Sequence, residues 1–302
     1  MKYCIFNVQG GLGKHVAATA VAEAIKKAHP DRQLIVHCVW NELFLNLPFV
    51  DRVYKAGSTQ YFYQNYIEGR DSLIFANEPY LTTEHINKQL PLVQSWLKMY
   101  GIPYNGETPT LILNDVQKQS AKSHWGKNGP YMVLHTNGGM IYPVGQGASY
   151  SWARDMPLEL ANQIVEKYKD KYHIYQVAHP NAVVVPGTEP VTVTDQKRLT
   201  DMEYFSLLLY SDKRVLIDSS LQHAAAAFNL PSVVLWNGTS SKIFGYDLHT
   251  NIETVKPHNF KLPGSVFFDF DFTGNNHEYP FPEGTVLYDP ETVFKAIDCL
   301  NS

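Results

Sequence analysis

"LIDSSLQHAAAAFNLPSVVLWNGT", Leu216–Thr239, holds a strand, a small-residue loop, a helix and a second strand in one short run. The apolar "RVLI" (Arg214–Ile217) ends at Asp218, and Ala224–Ala227 are strong helix formers. Ser219 or Ser220 is placed to cap that helix. Its first N–H groups then form an anion site, with His223 in the first turn as a further donor. Taken singly, Asp218 reads equally well as an ordinary cap and His223 as a satisfied core histidine. Asn229 and Pro231 close the helix. "PSVVLWN" then leads to another small-residue loop, Trp236–Ser240. A strand returning through a helix to a second strand implies a right-handed crossover in a parallel sheet, whose ligands bind beyond the carboxyl ends of the strands.

The same texture opens the chain. Tyr3–Val8 is an apolar run, Gly10, Gly11 and Gly13 form a loop, and a helical pattern follows. Val16, Ala20, Val21, Ala24, Ile25 and Ala28 share one face, with Thr19, Glu23, Lys26 and Lys27 on the other. Glu23 and Lys27 are spaced for an i,i+4 ion pair. "HPD" ends this helix, and Gln33–Val39, Val50–Tyr54 and Ser72–Asn77 read as strands. Thr83–Tyr100 reads as one long helix. Around Lys118–Pro130 the chain turns polar and ends in Gly-Pro, and the alternation restarts at Tyr131–Thr136. A helix with Asp155 as N-cap and Pro157 in its first turn comes next. It is followed by strand His173–His179, helix Leu199–Asp212 and, at the end, helix Pro290–Leu300. The fold class is α/β, with Rossmann-like domains at 1–128 and 129–302.

Composition agrees with two globular domains: 302 residues, 44% hydrophobic and 18% charged. Lys plus Arg number 25 against 29 Asp plus Glu, a net charge of −4. A surface dominated by basic residues is excluded, and a nucleic-acid partner would need a local basic groove. Cys4, Cys38 and Cys299 are far apart and odd in number, and Cys4 and Cys38 sit in apolar runs as core residues. With no Cys-x-x-Cys or His-Glu-x-x-His, no metal site is expected. The N-terminus has no signal-peptide pattern, and no apolar run approaches the roughly 18 residues of a spanning helix, so a cytoplasmic protein without stable membrane insertion is expected.

The glycine loop has three readings. A P-loop requires Gly-x-x-x-x-Gly-Lys-Ser/Thr. Gly13-Lys14 fits its middle, but Val8 stands at the first glycine and His15 at the magnesium-binding hydroxyl. The loop of partitioning-type ATPases comes closer, yet still needs an oxygen where His15 stands, and Mg²⁺ prefers oxygen. A deviant P-loop ATPase is therefore the weakest reading. A tight turn without a ligand is the second. The third is a loop that lets a ligand approach the backbone at a helix N-terminus.

Taken together, Leu216–Thr239, the opening "GGLGKHVAATAVAEAIKKAHPDRQLIVHCVWNELFLNLPFVDRVY" (Gly10–Tyr54) and "SYSWARDMPLELANQIVEKY" (Ser149–Tyr168) resemble family 9 glycosyltransferases, which include the ADP-heptose:lipopolysaccharide heptosyltransferases. The resemblance covers both domain cores but not residues 55–125 or 256–288. It implies a GT-B architecture, with two Rossmann-like domains whose parallel sheets face each other across a cleft. The implied reaction is inverting, metal-independent transfer from a nucleoside-diphosphate sugar, as substrate rather than cofactor, to an acceptor hydroxyl. The resemblance assigns donor binding to Thr136, Asn137, Arg154, Asp218, Ser219, Ser220 and His223, and the cleft loop to Gly10, Gly11 and Gly13. The family's loop aspartate, its presumed base, is replaced here by Lys14. Lysine is a poor base unless desolvated. Lys14 is then left to bind phosphate, with His15, Glu78 or another acid as the base.

A saccharide acceptor is the first expectation, and hydroxymethylated DNA bases, the substrates of some phage GT-B enzymes, are the alternative. A catalytically silent sugar-nucleotide-binding protein is the third. "YFYQNY" (Tyr61–Tyr66) reads as packing of an amphipathic element ahead of a stacking surface. "SVFFDFDFTGNNHEYPFP" (Ser265–Pro282), with Asp269 and Asp271, reads as a hairpin with one apolar face rather than a carboxylate pair for a metal.

Overall fold

Strands covered on both faces need apolar side chains along their whole length. The computed structural model, which describes residues 1–57, 59–138, 154–179, 182–192, 199–255 and 284–300, arranges such strands in two sheets. The first contains β1 (Lys2–Val8), β2 (Gln33–Cys38), β3 (Arg52–Lys55) and β4 (Asp71–Phe75) in the order β3-β2-β1-β4. The second contains β5 (Tyr131–His135), β6 (His173–Ala178), β7 (Glu189–Thr192), β8 (Lys213–Ile217), β9 (Val233–Trp236) and β10 (Thr250–Glu253) in the order β10-β9-β8-β5-β6-β7. Every pairing is parallel. Chain direction across each sheet reverses once, between β1 and β4 and between β5 and β8, which is where open α/β sheets leave a crevice at their carboxyl ends.

Helix α1 (Leu12–Ala28) is buried on nearly every side through its first three turns. Thr19, which the sequence pattern places on the polar face, is fully buried. Its hydroxyl donates to the Val16 carbonyl at 2.7 Å and accepts the Thr110 N–H at 2.9 Å. Glu23 and Lys27 do pair, at 2.8 Å.

The aromatic run forms the short helix α2 (Phe62–Tyr66). Tyr66 packs against Tyr3, Ile5 and Ile35, with Phe62 beside it. Tyr61 and Tyr63 remain exposed at 71% and 56%. The long helix expected over Thr83–Tyr100 is two helices, α3 (Thr83–Ile86) and α4 (Leu92–Met99). Lys88 adopts a left-handed φ of 54° between them. Pro91 can neither donate the helical N–H nor let the residue before it stay helical.

The polar stretch before β5 is ordered as α5 (Asp115–Trp125), started by a reciprocal capping box between Asn114 and Gln117. It leans on the second sheet's side. Trp125 Nε1 donates to Ser206 Oγ at 3.1 Å, and the Tyr210 hydroxyl donates to the Lys118 carbonyl at 3.2 Å.

Helix α6 (Leu158–Tyr168) starts behind Pro157 without an Asp155 cap. Asp155 instead accepts the Asn137 amide at 2.8 Å and the Gly138 N–H at 2.9 Å, tying α6 to the loop after β5. Helix α7 (Asp201–Phe205) has the Thr200–Glu203 capping box and tightens into a 3-10 turn over Ser206–Leu208. Helices α8 (Ser220–Ala227) and α9 (Ser241–Phe244) follow β8 and β9. The last helix, α10 (Pro290–Cys299), is anchored by Lys213, whose buried ammonium donates to the Leu300 carbonyl at 2.6 Å. A lysine at a helix C-terminus also complements the dipole. The Ser265–Pro282 segment, with Asp269 and Asp271, lies outside the described residues.

The two sheets are joined by a seam of small residues where α1 packs on α8. One apolar core runs from Val8 and Val36 through Ala17 and Ala20, across Ala224 and Ala225, to Val133, Leu216 and Val234. Further contacts cross between the sheets. The Asp201 N–H donates to Glu42 Oε2 at 3.0 Å, and the His85 and Phe244 rings meet at 5.6 Å. Among the described residues no helix is long and apolar enough to cross a membrane.

Candidate active site

The seam brings two helix N-termini to one place. Gly11 is the N-cap of α1 and Ser219 that of α8, and neither contributes a side-chain cap to its helix. No acidic side chain stands in the first turn of either. Each start therefore presents free N–H groups at the positive end of its dipole. Gly10 makes the turn from β1 into α1 with a φ of 101°, a conformation that favours glycine. Gly13 serves a different purpose. A Cβ there would lie 2.9 Å from His223 Cδ2 and 3.2 Å from Ser220 Cα, so its missing side chain is what lets the two helix starts approach.

Between them lies a cavity of about 480 Å³. Gly10, Gly11, Gly13 and Lys14 line one side, Arg154, Asp218, Ser219, Ser220 and His223 the other, and Glu78, Tyr80 and Phe244 complete it. Most of the sequence-predicted residues, drawn from four separate segments of the chain, thus meet in one space.

The cavity's charges are matched in two pairs. Lys14 Nζ is 2.5 Å from Glu78 Oε2, with the lysine side chain almost wholly buried and the carboxylate 39% exposed. The same ammonium lies 5.0 Å from the Tyr80 ring centroid and 5.2 Å from that of Trp96, within cation–π range. Arg154 Nε is 3.5 Å from Asp218 Oδ2. Lys14 lies in the first turn of α1 and Asp218 directly precedes the N-cap of α8, so each pair joins a helix start to a residue from another segment. An anionic ligand could draw both cations, while the carboxylates would turn to other partners.

His223 stands between the pairs. It is 6% exposed, and its Nδ1 lies 2.8 Å from the Tyr246 hydroxyl. Burial holds its pKa down to about 4; Asp218 pulls it upward, and His249 and Arg154 push it lower. The ring is neutral at pH 7.

Three expected residues stand apart from this cavity. His15 is fully buried beneath the loop. Its Nδ1 lies 2.9 Å from the Gly11 carbonyl and its Nε2 3.2 Å from that of Val8, and burial lowers its pKa. It braces the turn and is not among the residues that line the cavity. Thr136 donates to Asn137 Oδ1 at 2.8 Å and accepts from Gln176 Nε2 at 2.9 Å. Asn137 in turn donates to Asp155, whose pKa burial raises to about 6. Both residues shape the loop after β5 and are not among those that line the cavity. Conversely, sequence reasoning passed over Tyr80, Phe244 and Tyr246. The one signal for Tyr80 was its place two residues after Glu78. Among the described residues, no group of three or more His, Cys, Asp or Glu is arranged to hold a metal ion.

No protein-family model matches the chain, and no curated protein matches its sequence. Solved structures do. The chain is similar to a glycosyl transferase family 9 structure from Veillonella parvula, with a TM-score of 0.66 at 14% identity over 99% of this chain and 97% of that one. It is also similar to the E. coli ADP-heptose lps heptosyltransferase II, with a TM-score of 0.67 at 12% identity over 99% and 98% of the two chains. A more distant likeness, with a TM-score of 0.58 at 14% identity, covers 82% of this chain and 61% of TibC, a dodecameric iron-containing glycosyltransferase of enterotoxigenic E. coli. The fold is GT-B, as the sequence resemblance implied. At these identities the likeness shows the fold.

Proposed function

We propose that the protein is an inverting glycosyltransferase that moves a sugar from a nucleoside-diphosphate sugar to an acceptor hydroxyl, with residues 1–128 on the acceptor side and 129–302 on the donor side. The observation that carries this reading is the convergence of two free helix N-termini, Lys14 and Arg154 on one cavity with Glu78 at its edge. That set offers N–H donors and positive charge for a departing diphosphate without requiring a divalent cation, and electrostatic stabilisation of developing charge is commonly the largest catalytic contribution. In this reading the acceptor oxygen attacks the anomeric carbon as the bond to the diphosphate oxygen breaks. The acceptor proton passes to the Glu78 carboxylate, and the negative charge collects on the diphosphate. An incoming diphosphate competes with Glu78 for Lys14, so the base is released when the donor arrives. A saccharide acceptor is favoured by the exposed Tyr61 and Tyr63 rings on the first sheet's side, since aromatic faces stack on sugar rings.

The test is a binding panel of ADP, UDP, GDP, CMP and dTDP with their common sugars, and of Mg-ATP, read by thermal shift on wild type and Arg154→Gln, with the diphosphate series repeated in EDTA. Stabilisation by one diphosphate series, indifferent to EDTA and weakened in the variant, is expected. A ligand at 100 times its Kd adds about 2.7 kcal/mol. A response confined to Mg-ATP would overturn the reading in favour of a nucleotide hydrolase. Donor binding with no turnover on any saccharide or hydroxymethylated-DNA acceptor would reduce the protein to a sugar-nucleotide sensor.

A further inference from the structure

The His223 ring has two edges in two different settings. Its Nδ1 meets the Tyr246 hydroxyl at 2.8 Å on the side away from the glycine loop. Its Cδ2 edge, which carries Nε2, lies against Gly13 at the cavity wall. Among the described residues Nδ1 is the one hydrogen-bond partner of the Tyr246 hydroxyl, and no side chain or carbonyl is bonded to Nε2. Tyr246 is held in place from its own backbone: its carbonyl accepts Asn251 Nδ2 at 3.0 Å, and Asn251 Oδ1 accepts Trp236 Nε1 at 2.8 Å.

A neutral imidazole carries one N–H, and which nitrogen bears it follows from the partner of the other. If Nδ1 carried the proton, the half-buried Tyr246 O–H would have no acceptor among the described residues and Nδ1 would be the only donor of the pair. If the tyrosine O–H donates to Nδ1, both groups are satisfied and the proton sits on Nε2, facing the cavity. We infer that Tyr246 is a positioning residue that fixes His223 as the Nε2–H tautomer, so that a neutral, aimed N–H donor faces the diphosphate. This goes beyond the proposed function but rests on it for the identity of the anion. It assigns a task to a residue that lies outside the cavity and carries no sequence signature. The ring stays neutral because burial lowers its pKa, so the donor does not switch off as pH rises through the physiological range.

The tautomer can be observed directly. Two-bond 1H–15N spectra of the full-length protein at pH 7.5, with His223 assigned by its absence in His223→Gln, distinguish a pyrrole-type from a pyridine-type nitrogen at each position. Wild type should show pyrrole-type Nε2 and pyridine-type Nδ1. Tyr246→Phe, which keeps the ring and loses the hydroxyl, should give a tautomer mixture and weaken inorganic pyrophosphate binding by on the order of fivefold, the loss of one net hydrogen bond. Added pyrophosphate should shift Nε2 more than Nδ1. A wild-type His223 protonated on Nδ1, or a Tyr246→Phe variant with unchanged tautomer and affinity, would overturn the inference. Failure of pyrophosphate to bind a wild type that shows the expected tautomer would instead overturn the anion-site reading beneath it.

Discussion

Replacing Gly13 by alanine tests whether the closeness of the two helix starts holds the site together. The added Cβ would sit 2.9 Å from His223 Cδ2, 3.2 Å from Ser220 Cα and 3.4 Å from Ser220 N. Carbon atoms prefer about 3.5–4.0 Å, and two of these neighbours are backbone of α8, which cannot rotate aside. The helix starts must separate by several tenths of an ångström. Overpacking of this kind costs roughly 1–3 kcal/mol, partly offset by the gain of up to about 1 kcal/mol from alanine over glycine in a helix. The expected net loss is about 1–2 kcal/mol. Gly126→Ala is the control, because its Cβ would meet nothing within 4 Å and its φ is −79°. Urea unfolding should place Gly13→Ala clearly below wild type and Gly126→Ala at or slightly above it. The displaced His223 should also lower pyrophosphate affinity about fivefold. Wild-type stability together with wild-type affinity in Gly13→Ala would refute the idea that this glycine sets the spacing of the two N-termini.

Lys14 and Glu78 should separate into binding and chemistry. Lys14→Met should weaken diphosphate binding about tenfold or more by removing a charged donor, whereas Glu78→Gln should leave it within about twofold or tighter and lower transfer by about 10²–10⁴. Isothermal titration and single-turnover assays check the two halves. His135, His223 and His249 are held near pKa 4 by burial, below their unfolded value. Their contribution is complete above about pH 6.5 and drains away as pH falls towards 4, at about 1.4 kcal/mol per pH unit for each net proton taken up on unfolding. Asp201, raised to about 6 by burial and by Glu42, acts in the opposite sense, stabilising below about pH 4 and losing that contribution as pH rises through 6. Asp201→Asn should therefore gain stability at pH 7.5 and steepen the loss in acid, as a series of urea titrations would read. Cys4 and Cys38 are buried, with pKa values pushed up to about 11 and about 12, while Cys299 is exposed. A thiol reagent should therefore titrate one group in the native protein and three after denaturation.

The strands and loops that build the cavity were legible because all-parallel sheets need unbroken apolar runs, and Leu216–Thr239 and Tyr3–Val8 show them plainly. Loops at the carboxyl ends of such strands have few places to go, so Gly10, Lys14, Asp218 and Ser220 could be brought together without coordinates. Contacts settled by tertiary neighbours were harder to see. Nothing local distinguishes a histidine that lines a cavity from one folded under its own turn, which is the difference between His223 and His15. Asp155 beside Pro157 has the local pattern of a cap, but Asn137 and Gly138, distant in sequence, take up its oxygens. The break between α3 and α4 is a different matter, since Pro91 states it in the sequence itself. Tyr246 gave no sign, because its partner is 23 residues away and no spacing rule connects them.

The apolar seam between the sheets also bears on cooperativity. Side chains from both halves share one buried apolar interior, so cutting the chain near residue 128 would expose the alanine faces of α1 and α8 to water. It would also part α5 from whichever strands it lost. Either fragment expressed by itself should be prone to aggregate, and the intact protein should melt in a single calorimetric transition whose van't Hoff and calorimetric enthalpies agree. Two architectural units would then behave as one thermodynamic body, and the cavity at their junction would disappear only when the whole protein unfolds.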